Sequence, residues 1–358
     1  MARKKISKKN VELGVDENFD GDIEFDFTGE DYDDETALEP SKLEQRKRRR
    51  SIRASKALFR AVDAITGSTT KSCPYLSKDD IAAIETIKDI VYDPTLPETC
   101  TMDLYRVKTN EKQPVVFLIH GGGFSAGDKK YRKGQSQWLA INGFTVINVN
   151  YGLAPEFTFP TPVNQLIVAA NYVYDNAEKL SIDRDKILIA GDSAGGYYSA
   201  MLATISTNKT FNDEFAEPLR CKFIGALLVC GLFDLDTVLS TKYILDIDDG
   251  VFLSFVGISR KEFDRFENKN ICMPSKFINN KFPPSFIVYA PQDLLCKGQA
   301  ETLIEKLGEL DVYCEYYGAR HLTSNHCFSI LWSGEDACAA NELMLSFAKR
   351  LVGDKIKF

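Results

Sequence analysis

The sequence predicts an α/β fold, a mostly parallel central sheet with helices on both faces and a helical cap. Three observations predict it. After Tyr75, short β-branched or aromatic runs alternate with helical patterns, the order that a sheet with crossover helices requires. Most of those runs are apolar throughout, without polar alternation, as in strands buried on both faces. The chain has 358 residues, 44% of them hydrophobic, which suffices for one large core and excludes a small disulfide-stapled fold.

Charge blocks mark the first 55 residues. They are basic through Lys9, acid-only from Glu12 to Glu39, and basic again from Lys42 through Arg46-Lys47-Arg48-Arg49-Arg50 to Arg53. Self-repelling blocks of this kind rarely fold alone, so residues 1–55 read as a charged, disordered tail leading into a surface helix from about Ser41 to Ile65. The basic run leaves a docking role open. Residues 56–87 read as an N-terminal helical segment and part of the cap. Within them Ser77-Lys78-Asp79-Asp80 forms a helix-capping signal.

Residues 88–358 read as the main domain. Strands are predicted at Asp103–Val107, Val115–Ile119, Thr145–Asn150, Ile187–Ala190, Phe223–Val229, Phe286–Ala290 and Val312–Tyr317. Helices are predicted at Pro162–Leu180, Ala194–Ser206, Ala300–Leu310 and Asp336–Leu351. Residues 235–282 interrupt the alternation and read as a cap insertion. Ligands of open α/β sheets sit beyond the carboxyl ends of the strands, where such an insertion would lie.

Composition narrows the function. With 44 Lys+Arg against 51 Asp+Glu the net charge is −7, which speaks against a general nucleic-acid binder. No apolar run approaches the ~20 residues of a membrane span. Nine cysteines form no C-x-x-C pair, and no signal-like apolar stretch follows Arg3-Lys4-Lys5, so reduced thiols and a cytoplasmic protein are expected. Three scattered histidines provide no metal-ligand pair at helical spacing.

The chemistry concentrates in two turns. Ile187-Leu188-Ile189-Ala190-Gly191-Asp192-Ser193-Ala194-Gly195-Gly196 is a buried strand entering a Gly-x-Ser-x-Gly turn and then a helix. A serine there has its hydroxyl raised above the sheet near a helix N-terminus, which favours a developing anion. Val115–Ile119 leads into His120-Gly121-Gly122-Gly123-Phe124, whose backbone N–H groups, with that of Ala194, can cradle the oxyanion of an acyl-transfer intermediate.

A serine nucleophile needs a base, and only His120, His321 and His326 are present. His120 precedes the glycines and reads as a brace for their loop. His326 in Asn325-His326-Cys327-Phe328 is the preferred base, with His321 the alternative. Asp293, just past the Phe286–Ala290 strand, is the preferred acid, with Asp234 and Asp236 as rivals better suited to turns or caps. Cys327 beside the base reads as a core thiol, since no glycine turn or helix N-terminus presents its sulfur.

From about residue 88 onward the sequence resembles the hormone-sensitive-lipase-like branch of the α/β-hydrolases, which includes carboxylesterases and acetylesterases. The resemblance rests on His120-Gly121-Gly122-Gly123-Phe124, Asn150-Tyr151-Gly152-Leu153-Ala154-Pro155-Glu156, Phe159-Pro160-x-Pro162 and Gly191-Asp192-Ser193-Ala194-Gly195-Gly196, in that order. It implies an α/β-hydrolase fold with Ser193 as nucleophile and Asp293 and His326 as partners. It further implies an oxyanion hole from the N–H groups of Gly122, Gly123 and Ala194, a cap, no cofactor, and a small-molecule ester substrate, with short acyl chains favoured. An amidase, formamidase or peptidase would share all of these residues, and a non-catalytic binding protein could keep the fold.

Overall fold

The computed structural model describes residues 42–240 and 247–353. The acid-only run from Glu12 to Glu39 therefore lies outside the described residues, as do positions 241–246 of the expected insertion. Among the described residues eight strands form one sheet: β1 Ile84–Val91, β2 Thr101–Val107, β3 Gln113–Ile119, β4 Thr145–Val149, β5 Ile182–Asp192, β6 Gly225–Val229, β7 Ser285–Tyr289 and β8 Cys314–Gly318. Their order is β1-β2-β4-β3-β5-β6-β7-β8. Every pairing from β4 to β8 is parallel, while β1 with β2 and β2 with β4 are antiparallel.

Eleven α-helices accompany it among the described residues: α1 Lys42–Thr70, α2 Lys78–Ala83, α3 Lys133–Ile141, α4 Thr161–Asp175, α5 Ala177–Leu180, α6 Ala194–Thr207, α7 Lys209–Asn212, α8 Leu235–Ser240, α9 Ile247–Val256, α10 Gln299–Glu309 and α11 Gly334–Leu351. The mostly parallel α/β architecture is as the alternation predicts, with differences of detail. β1 was not foreseen because it is a half-exposed edge strand with charged positions and a register shift between Ile87 and Ile90, so it carries no apolar run. α3 escaped because its buried face includes Gln135, Ser136 and Gln137. No break falls at residue 55: α1 is continuous across it, held by buried Ser55 and Phe59 and by the Arg48–Glu262 ion pair at 2.6 Å.

Strand residues alternate between two cores. Val115, Phe117, Ile119, Ile147, Ile189 and Leu228 face one side, with α4, α6 and α10. Val116, Leu118, Val146, Leu188, Leu227 and Val288 face the other, with α3 and α11. This two-residue period explains the continuous apolar runs, since both faces of each strand are covered.

Behind the sheet edge sits a buried charge cluster. Lys129, in a short 3-10 segment (Lys129–Arg132), pairs with Asp103 of β2 and with Asp89 of β1. Asp103 also accepts the Asp89 N–H (2.9 Å) and the Tyr105 hydroxyl (3.2 Å). Asp103→Ala would leave these donors without their acceptor and Lys129 with only the exposed Asp89. The expected loss in urea unfolding is about 3 kcal/mol, the low end for breaking a buried pair. A loss below about 1 kcal/mol would show that Asp89 alone neutralises the lysine.

Candidate active site

Register sets the site. Ile119 at the end of β3 lies opposite Gly191 near the end of β5, so the glycine loop and the Ser193 turn leave the sheet side by side. Asp192 pairs with Val229 of β6, and Val229 with Val288 of β7, which brings the exits of all four strands to one level.

Ser193 stands between β5 and α6 with φ +51 and ψ −121, a conformation that non-glycine residues rarely adopt and that costs on the order of 1–3 kcal/mol. Its N–H donates to Val229 O at 2.9 Å, which helps hold the turn. The Ser193 hydroxyl donates to His326 Nε2 at 2.9 Å, and His326 Nδ1–H donates to Asp293 Oδ2 at 2.8 Å. Asp293 Oδ1 in turn accepts the N–H groups of Leu295 (2.8 Å) and Cys296 (2.9 Å). Serine, imidazole and carboxylate thus form one chain along which a proton can move from Oγ to Nε2.

The electrostatics follow from this geometry. Burial would lower the His326 pKa, but the Asp293 carboxylate reverses this and holds it well above the ordinary 6.5. Burial would raise Asp293, yet charge on His326 and the backbone donors keep it below the usual carboxylate range. The Cys296 thiol beside them is pushed up by burial and stays protonated near neutrality, so Asp293 is the charge that His326 meets.

Gly122 has φ +138 and Gly123 φ +58, both in the region that favours glycine. At Gly123 a Cβ would also lie 2.2 Å from the Phe59 ring of α1. Among the described residues the N–H groups of Gly122, Gly123 and Ala194 donate to no backbone carbonyl, which leaves them available to a ligand oxygen. His120 is where the sequence placed it, behind the loop. Its Nδ1–H donates to Gly121 O at 2.8 Å and its ring stacks on Tyr151. Burial lowers its pKa to about 4, so it is neutral.

The other candidates fall elsewhere. His321 is exposed and lies 3.4 Å from Glu335. Asp234 caps α8 through Thr237, and Asp236 pairs with Lys276 at 3.5 Å. The Cys327 thiol is directed at Asp192 (3.8 Å), and contact with Cys230, then burial, pushes its pKa well above 9.0.

Three features were not foreseen. Arg132, buried, makes a two-pronged ion pair with Asp192, the residue before Ser193. Beside it, Asp63 of α1 is raised by burial to about 6, against the pull of Arg132. Cysteines distant in sequence also converge on the histidine: ligand atoms of Cys230, His326 and Cys327, and of Asp293, Cys296 and His326, lie within 4.8 Å of one another. Either set could hold a soft metal ion, in competition with the hydrogen bonds of His326. The one signal for the ion pair was an arginine shortly after the glycine loop; of the cysteines only Cys327, next to His326 in the chain, carried one.

A narrow cavity, with room of about 70 Å³ for water-sized solvent, reaches Ser193. Its walls are almost wholly apolar: Phe59 from α1, Val251, Phe252 and Phe255 from α9, and Phe124 and Leu295 from the loops.

Comparison with known proteins bears on the family and the fold. The BD-FAE family model matches residues 102–307, more than half of the chain. The chain belongs to the BD-FAE family. Among its relatives, a protein of Acanthamoeba polyphaga mimivirus whose name places it with the alpha/beta hydrolases is 28% identical over 243 residues, 64% of this chain and 65% of the relative. An acetyl esterase of Salmonella schwarzengrund is 29% identical over 210 residues, 57% of this chain and 62% of that protein. The match thus spans less than two thirds of either relative. The crystal structure of esterase B from Lactobacillus rhamnosis superposes with a TM-score of 0.71 at 18% identity, covering 86% of this chain and 96% of the other, a likeness of fold. The resemblance to the hormone-sensitive-lipase-like branch of the α/β-hydrolases is borne out.

For this BD-FAE chain, Arg132→Met should cost about 3–5 kcal/mol in thermal or urea unfolding, because it leaves Asp192 buried without its cation. Arg132→Met with Asp192→Asn should recover part of that loss. Two single losses that simply add would show that the pair does not act as a unit.

Proposed function

We propose that this chain is a carboxylic ester hydrolase acting by two-step acyl transfer. The observation that carries the reading is the Ser193–His326–Asp293 chain, with contacts of 2.9 and 2.8 Å at the mouth of an apolar cavity. In this reading His326 takes the Ser193 proton as Oγ attacks the ester carbonyl. The resulting oxyanion is held by the N–H groups of Gly122, Gly123 and Ala194. His326 then returns the proton to the leaving alcohol, and water repeats the sequence on the acyl-enzyme. Asp293 keeps the Nδ1–H tautomer and stabilises the imidazolium.

Walls of phenylalanine and valine suit an aliphatic or aromatic acyl group with no charge. α1 and α9 act as the cap, and Phe59 with Phe252 and Phe255 crowds the cavity, which favours short acyl chains. The acetyl esterase among the relatives agrees with that preference.

Hydrolysis of p-nitrophenyl acetate, butyrate, octanoate and palmitate, with Ser193→Ala and His326→Ala alongside, tests the reading. Acetate and butyrate should be turned over, and each variant should lose several orders of magnitude. A wild type no faster than Ser193→Ala on all four esters would overturn it.

The pH profile provides a second test. His326 must be neutral to accept the proton, and its pKa is raised, so kcat/KM should fall as pH drops through a value above 6.5. Asp293→Asn should move that limb to lower pH and reduce kcat by about 10⁴. A wild-type limb at or below 6.5 would contradict the role given to Asp293.

A further inference from the structure

The inner face of α1 is spoken for, since Phe59 lines the cavity, Ser55 is buried and the helix packs on α9. Its outer face is not. Lys42, Arg46, Lys47, Arg49, Arg50, Arg53 and Arg60 are all exposed, and at 3.6 residues per turn they fall within an arc of about 160° and a length of about 27 Å. Their neighbours Arg48 and Lys56 are already paired, with Glu262 and Glu156. Among the described residues none of the seven is paired with a carboxylate, and between Gln45 and Val62 α1 contains no Asp or Glu.

Seven like charges on one helix face repel one another, and in a protein of net charge −7 they are not explained by composition. Apolar side chains sit among them. Leu43 is 63% exposed within the arc and Leu58 is 38% exposed at its edge. Cations interleaved with exposed leucines match the layered chemistry of a membrane interface, anionic headgroups over acyl chains, better than a phosphate backbone, which offers the leucines nothing.

We propose that the outer face of α1 is a docking surface for an anionic lipid bilayer. The cations adsorb to the headgroups and Leu43 enters the boundary beneath them. The attachment is peripheral, since the apolar side of α1 is already buried against the body of the protein. It needs no enzymatic activity, so it stands or falls apart from the ester-hydrolase reading.

The test is co-sedimentation of the full chain with vesicles of phosphatidylcholine alone or with about 30 mol% phosphatidylserine. Binding should require phosphatidylserine and weaken as salt is raised to about 0.5 M. Each Lys or Arg near an anionic leaflet strengthens binding about five-fold, so replacing Arg46, Arg49, Arg50 and Arg53 together by Gln should weaken it by on the order of a hundred-fold or more. A control with Lys88, Lys108, Lys222 and Lys281 replaced by Gln changes the net charge equally away from α1 and should stay within a few-fold of wild type. Hydrolysis of p-nitrophenyl acetate should be the same in both variants as in wild type. Leu43→Ser should weaken vesicle binding further while leaving retention on heparin unchanged. The proposal is overturned if the full chain ignores phosphatidylserine, if both four-residue variants lose equally, or if RNA or heparin is held more tightly than vesicles with no effect of Leu43→Ser.

Discussion

The parallel register of β3, β5, β6 and β7 is the constraint on which the site depends. Ile119 opposite Gly191, Asp192 opposite Val229 and Val229 opposite Val288 put four strand exits on one level. The glycine loop, Ser193 and Asp293 each hang from one of these exits, and His326 from the loop after the neighbouring β8. A shift of one residue in β5 would exchange its two buried faces and carry Ser193 off the level of the glycine loop. Because both faces are packed, the register is fixed by the same apolar side chains that hold the core together. Geometry at the carboxyl edge is thereby a product of stability in the interior.

Around this edge the charges are arranged in layers. Asp293 orients His326 from one side, and the Arg132–Asp192 pair braces the serine turn from below. Both carboxylates are buried, and each is matched by a partner and by further donors or neighbours. The contrast with His120 is instructive. It is more fully buried and has no carboxylate partner, only a carbonyl and an aromatic ring, and its pKa moves down where that of His326 moves up. Desolvation acts on both histidines; the adjacent charge decides the sign.

Much of this was legible in the sequence, for identifiable reasons. Gly191-Asp192-Ser193-Ala194-Gly195 and the glycines after His120 are local signals, in which residue type, turn and flanking strand all lie within one short segment. His326 could be paired with Ser193 because three histidines leave few choices, and Asp293 because it follows a strand. What stayed hidden depends on distance or on exposure. Arg132 and Asp192 are sixty residues apart, and a lone arginine after a loop reads as surface. Cys230 and Cys296 reach His326 only because β6, β7 and β8 are neighbours. β1 lacks a buried face, so nothing in its composition separates it from a loop.

The cavity wall has a history in the making of the chain. Phe59 belongs to a helix that precedes every strand, yet the surfaces it packs against, Gly123 and then α9, come much later in the sequence. During synthesis α1 emerges from the ribosome long before its partners exist, with its apolar side uncovered. Contacts so far apart in sequence close slowly, because a long loop must first be ordered. α1 contributes no strand to the sheet, whereas the cavity is enclosed with its Phe59. The chamber above Ser193 is therefore closed only when α1, made before every described strand, packs back over it.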